Sequence, residues 1–196
     1  MNEIFDYTIL EYVIDDISKP IILNPDTDEQ NIISGFISNA TLSPNSSYHL
    51  HSLNLFKRGD FFKMENGNYY MVTGDVVEKR LAKYKSVADY CNHVIPIYEE
   101  KKVQVGTKPS GEPIYKIEKI LVGETVGVLR YKQFTSPNGS IIVINTEIEF
   151  TIRDTAKARE TYKINTKVDI EGKSWNLIEV DYTKQGTLGL MLRSVL

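Results

Sequence analysis

Three histidines and a single cysteine are the side chains of this chain best suited to metal or nucleophile chemistry. His49-Leu50-His51 sets two imidazoles on one face of an extended segment, where a pair of metal ligands would stand. Cys91-Asn92-His93 does the same for a thiol and an imidazole. Neither pair has the spacing of a zinc motif, and neither Cys-x-x-Cys nor His-Glu-x-x-His occurs. The histidines therefore read as surface or interface residues, and Cys91 as an inert, buried strand cysteine. There is no Gly-x-Ser-x-Gly elbow to present a nucleophile. Gly106-Thr107-Lys108-Pro109-Ser110-Gly111 holds Gly, Lys and Ser out of phosphate-loop order, and its proline suits a hairpin. Asp15-Asp16 and Glu99-Glu100 are chain neighbours, so on a strand their carboxylates point apart. The sequence nominates no catalytic residue, no metal ligand and no cofactor site, and the chain is expected not to be an enzyme.

One cluster remains. Lys79, Arg80, Lys83 and Lys85, with Tyr84 among them, are candidate contacts for phosphates or for an acidic surface of another subunit. Such an acidic surface exists in the chain itself. Residues 1–50 hold 8 acids and one base, Lys19, for a net charge of −7. Residues 51–102 and 103–196 each carry +2, so the whole chain stands at −3 and is no nucleic-acid binder by bulk charge. The acidic quarter reads either as a solvated face or as one half of a head-to-tail contact between copies. Arg58-Gly59-Asp60 spells an adhesion tripeptide but reads as a turn leading into a strand. Formal glycosylation sequons begin at Asn39, Asn45 and Asn138, and they carry no meaning without secretion.

The elements that position these residues are mostly strands. Ile, Val and Thr together number 51, against 5 alanines, and branching at Cβ favours a pleated sheet over a helix. At 196 residues the chain has room for one large domain or two small ones. No apolar run approaches the ~20 residues of a membrane span. The first residues lack the basic start and apolar block of a signal peptide, and one cysteine fits a reducing compartment. Residues 4–17 read as a short helix on the spacing of Leu10, Val13, Ile14 and Ile17, with a strand through Tyr7–Val13 as the rival. Asn24–Asp28 is a turn by its chemistry, and Asn31–Ser38 a strand. Phe61–Met64 and Asn68–Val72 form a hairpin about Asn66-Gly67, expected as a type I′ turn with two positive-φ residues.

Glu78–Tyr84 reads as a loop or distorted strand, Tyr90–Tyr98 as a closing strand, and Glu99–Lys102 as a link between halves. Val103–Val122 folds as a hairpin about Lys108–Pro113. Thr125–Phe134, Ser140–Asn145 and Glu147–Ile152 follow as strands, the last with Ile148, Phe150 and Ile152 on one face. Thr155–Tyr162 is a short helix or a loop, and Lys167–Arg193 holds three strands. Phe62–Val72 and Val168–Leu177 share a strand, a turn glycine and an aromatic three residues later, the second with one residue fewer before the glycine. The fold expected is mainly β. It has two small β-barrel or sandwich-like modules, 1–100 with a leading helix and 101–196, the second a weak repeat of the first.

Two stretches carry a family resemblance. The run from Lys57-Arg58-Gly59-Asp60 through Asn66-Gly67-Asn68-Tyr69-Tyr70 and Lys83-Tyr84-Lys85 to Cys91-Asn92-His93 resembles virion proteins of phages and prophages of low-GC Gram-positive bacteria. Lys167–Arg193, with Trp175-Asn176-Leu177-Ile178-Glu179-Val180-Asp181, resembles the same proteins and is similar to the small β-barrel core of head-closure (stopper) and head–tail connector proteins. Residues 99–150 lie outside the resemblance and read as an added β layer. The resemblance implies a structural subunit of the virion neck, assembled in the host cytoplasm. It implies a homo-oligomeric ring that joins portal or other neck proteins to tail proteins and helps retain packaged DNA, with non-specific contact to that DNA, no membrane and no cofactor. Two other readings stand beside it: a tail or baseplate adaptor, and a cytosolic β-sandwich binding module that would use Tyr69, Tyr70 and Trp175 on a ligand.

Overall fold

The computed structural model describes residues 12, 14, 16–39, 47–79, 83–131 and 147–195. The protein is mainly β, in two barrel-like sheets. Of the helix expected over 4–17, Tyr12, Ile14, Asp16 and Ile17 are helical, and the rest lies outside the described residues. The strand expected over Ser140–Asn145 lies outside them as well.

The first sheet is built from β1 (Lys19–Leu23), β2 (Asn31–Asn39), β3 (Tyr48–Ser52), β4 (Phe61–Lys63), β5 (Tyr69–Val72), β6 (Val77–Lys79) and β7 (Lys83–Tyr90). Pairing of β3 with β7 closes it on itself. Closure removes the free edges that an open sheet would leave. Its core holds Leu23, Ile33, Leu50, Phe56, Phe62, Tyr70, Val72 and Ala88. The second sheet is built from β8 (His93–Thr107), β9 (Pro113–Tyr131), β10 (Glu147–Arg153), β11 (Lys167–Ile170), β12 (Lys173–Asp181) and β13 (Thr187–Ser194). Here the expected alternation holds: Ile148, Phe150, Ile152, Leu188, Leu190 and Leu192 all point into the core. Trp175 is buried in the same core and Tyr70 in that of the first barrel, so neither stands ready for a ligand.

Round the first barrel the strands run β1-β2-β3-β7-β5-β4, and round the second β8-β9-β10-β13-β12-β11. With β6 set aside, the two strand orders are the same, strand for strand. The hairpins β4–β5 and β11–β12 occupy equivalent places, and these are the segments whose sequences resemble one another. Their turns differ. The first is a three-residue loop closed by Met64 and Asn68, with only Gly67 at positive φ (86°). It is thus a type I turn with a glycine bulge, and the type I′ geometry expected at Asn66-Gly67 is not formed. The two-residue type I′ turn occurs in the second hairpin, where Glu171 (52°) and Gly172 (74°) both have positive φ. One residue fewer before the glycine selects the tighter turn.

Four further expectations are corrected. Tyr90–Tyr98 is not one closing strand. Tyr90 ends β7, the chain crosses between sheets at Cys91-Asn92, and His93 begins β8. Cys91 is buried as expected but lies at this crossover, not in a strand. Glu99–Lys102 is not a linker: it lies in the middle of β8, paired with β9. Residues 99–150 are not a separate layer, because β9 and β10 are staves of the second barrel. The Thr155–Tyr162 segment forms a helix over Ala156–Thr161, capped by the Thr155 hydroxyl accepting from Ala158 N (3.1 Å). It covers the seam between β8 and β11. There Tyr162 Oη donates to Pro96 O (3.1 Å) and Thr161 Oγ1 to Tyr98 O (3.2 Å), satisfying carbonyls on the β8 edge.

Candidate functional site

Lys83 and Lys85 stand two residues apart on β7, so both reach the outer face of the first barrel. The register brings other polar residues to them. His51 lies opposite Lys85 on one side and opposite Phe36 of β2 on the other, and His49 lies opposite Val87 and Ser38. The two imidazoles share a face as the sequence implied, with ring centroids 6.0 Å apart. Phe36 and His51 stack nearly parallel at 4.5 Å, and Lys83 Nζ sits 4.8 Å from the Phe36 ring centroid. Ser38 Oγ and His51 Nε2 are hydrogen-bonded at 2.9 Å. His51 Nδ1 is buried with no hydrogen-bond partner. Glu78 is paired with Tyr84 and so alternates to the other face. Lys79 ends β6 opposite Lys83, and Arg80 lies outside the described residues.

The electrostatics follow from this crowding. Burial, then Lys83, Lys85 and His49, push the His51 imidazole down to about 4 from its ordinary 6.5. Burial and Lys85 lower His49, and the same two causes lower Lys83. The histidines are therefore neutral near pH 7, and the lysines form a cationic patch on an aromatic floor. An incoming anion would relieve the repulsion between Lys83 and Lys85.

The buried, neutral His51 also makes stability depend on pH. Between 6.5 and about 4 the unfolded chain takes up a proton that the native imidazole refuses. The contribution of His51 is whole above 6.5 and declines as pH falls toward 4, by on the order of 1 kcal/mol after allowance for solvent screening. We expect denaturant melts to show this loss between pH 7 and pH 4.5, and His51→Gln to flatten it.

The second constellation of the sequence does not form. Cys91 is buried and its thiol is pushed up to about 12 by burial and by Asp89, so it is no thiolate nucleophile. His93 Nε2 meets Glu171 Oε1 at 3.0 Å, and Asn92 clasps Leu129, donating to its O (3.0 Å) and accepting from its N (2.7 Å). Among the described residues no group of three His, Cys, Asp or Glu is placed to hold a metal ion.

Between the barrels lies a joint that the sequence did not reveal. Met71, Cys91 and Val128 form a small shared core with Phe61, Tyr69 and Val126 around it. The Arg58-Gly59-Asp60 turn packs here against Gly186, backbone on backbone. Arg58 is ion-paired with Asp75. Asp60 is buried, accepts from Asn24 Nδ2 (2.9 Å) and Lys57 N (2.7 Å), and lies 3.7 Å from the Arg153 guanidinium. Arg153 also bonds Glu29 at 2.6 Å, which ties the second barrel to the first. Paired glycines were the one sequence signal of this contact, and they stand 127 positions apart in residues 59 and 186, too far for local reading.

No protein-family model, no curated protein and no solved structure matches this chain. No helix among the described residues is long and apolar enough to cross a membrane.

An open cleft of about 980 Å³ runs along the helix and the base of β8, lined among others by Glu99, Glu100, Lys119, Lys157, Tyr162 and Lys167. It mixes both charge signs, and burial pushes the Tyr162 phenol up, so that phenol stays protonated and bonded to Pro96. No Ser, Cys or His is among its described lining residues.

Proposed function

We propose that this chain is a structural subunit of a tailed-phage neck, a ring-forming head–tail connector that joins portal to tail and helps retain packaged DNA. One observation carries the reading. The β8–β9 ladder continues from His93↔Gly127 to Thr107↔Pro113 as a two-stranded ribbon, and from Tyr98 outward nearly every residue is exposed. A two-stranded ribbon alone in water is marginally stable, so a ladder of this length implies a neighbour. Two barrels joined through a buried core and ion pairs supply a rigid block for the ring. The resemblance of residues 57–93 to phage virion proteins, and of 167–193 to the same proteins and to the head-closure core, points the same way.

Imaging of purified particles with a tag on this chain tests the reading. Label at the head–tail junction is the expected result. Label at the distal tail moves the chain to the adaptor class, and its absence from every particle leaves the cytosolic binding module.

In this reading the lysine patch on the first barrel meets the phosphates of exiting DNA. Lys83→Glu with Lys85→Glu is expected to weaken duplex DNA binding by about tenfold or more and to reduce the log–log salt slope by about 2. Fluorescence anisotropy across a salt series reads both quantities.

A further inference from the structure

Eight of the twenty exposed large apolar side chains among the described residues fall within residues 98–122. The pairings sort them by face. Tyr98 pairs with Leu121, Glu100 with Lys119, Lys102 with Ile117, and Gln104 with Tyr115, so Tyr98, Leu121, Ile117 and Tyr115 share one side of the ribbon with Lys102, Lys119 and the single acid Glu100. Each of those four apolar residues is between 43% and 58% exposed. From Tyr98 to its tip the ribbon spans about 30 Å at ~3.3 Å per residue. From Tyr98 to Leu121 it carries a net charge of +1.

A surface of matching character lies on the other barrel. Ile22 and Ile32 are cross-strand partners on the outer face of β1–β2, 45% and 62% exposed. Leu55 is 61% exposed, just beyond Asn54, whose side chain accepts from Ser34 N of β2 (2.9 Å). The turn that joins β1 to β2 holds Asp26, Asp28 and Glu29, and residues 16–32 sum to −3. An apolar patch rimmed by acids thus complements an apolar stripe that carries two lysines against one glutamate.

We propose that the β8–β9 ribbon of one copy lies across the β1–β2 face of a second copy, with Ile117 and Tyr115 against Ile22 and Ile32. This rests on the reading of the chain as a self-associating subunit. Ribbon and patch are different surfaces, so the contact is heterologous and propagates head to tail until the rotation closes a ring. Lys102 and Lys119 of the ribbon face Asp26 and Asp28 of the neighbour.

Disulfide trapping tests it, because Cys91 is the chain's single native thiol and is buried. The double variant Ile32→Cys/Ile117→Cys is expected to give a ladder of covalent multimers under mild oxidation, and each single variant is not. Lys102→Glu/Lys119→Glu is expected to weaken self-association at least tenfold in sedimentation, with recovery on adding Asp26→Lys/Asp28→Lys. An oligomeric native chain with no disulfide ladder overturns the docking while leaving the ring reading intact. A native chain that stays monomeric at high concentration overturns both. A ladder together with label away from the neck keeps the docking and removes the neck assignment.

Discussion

Replacing Gly186 with alanine is expected to lower stability by about 3–5 kcal/mol and to split unfolding into two transitions. The residue has φ +92°, where an L side chain is strained, and a Cβ there would fall on the carbonyl oxygen of Arg58. Gly59 faces it with φ +89°, and a Cβ there would fall on the carbonyl of Gly186 itself. The obstacles are backbone atoms held by their own hydrogen bonds: Gly59 N donates to Val72 O (2.8 Å) and Asp154 N to Gly186 O (3.0 Å). Neither barrel can yield without breaking one of these bonds. Gly67→Ala is the control. Its φ is +86° but its Cβ position is open, so it costs only backbone strain, about 1–2 kcal/mol. Calorimetry separates the two effects, since loss of the joint uncouples the barrels and loss of the Gly67 turn does not. A single cooperative transition for Gly186→Ala, at the cost seen for Gly67→Ala, would refute the joint as the source of coupling.

Asp60→Ala is expected to cost about 3 kcal/mol, and Glu29→Ala under about 1 kcal/mol, although both carboxylates serve Arg153. The difference is burial. Asp60 is 8% exposed, and its removal takes the acceptor from the Lys57 N–H, leaves the Asn24 amide with only its 3.3 Å bond to Glu29 O, and removes a carboxylate 3.7 Å from the Arg153 guanidinium. The Glu29 side chain is 69% exposed, so water replaces it at Arg153. Urea melts of the two single variants and of each combined with Arg153→Ala give the coupling energies. Equal costs for the two carboxylates would show that the buried network does not hold the joint.

The elements most legible in the sequence were those whose information is local. Glu147–Arg153 and Thr187–Ser194 alternate because each has one face in a core, and a period of two survives in the chain as written. Turn glycines marked both equivalent hairpins. The Asn66-Gly67 turn type was misread because it depends on which residues close the loop, and the pair Met64 and Asn68 is set by register in the barrel. Glu99–Lys102 looked like a linker because a ribbon wet on both faces has the composition of a loop. Tyr90–Tyr98 looked like one strand because nothing local marks a crossover at Cys91-Asn92 except burial, which the sequence does not carry.

The candidate site divides in the same way. Lys83 and Lys85 are close in sequence, and His49 and His51 are close in sequence, so each pair was visible. Their union into one patch on Phe36 required β3 to pair with both β2 and β7, and that pairing is the closure of the barrel. By itself, then, the sequence determined the β class, the strand faces, the hairpins and the two pairs of polar residues, because side-chain branching and two-residue periodicity act within a few positions. Only the tertiary structure decided the shared strand order, the glycine joint, the buried Asp60 and the ribbon left outside any core. Each of these depends on which distant segments exclude water together, and that is a property of the packed sheets rather than of any window of the chain.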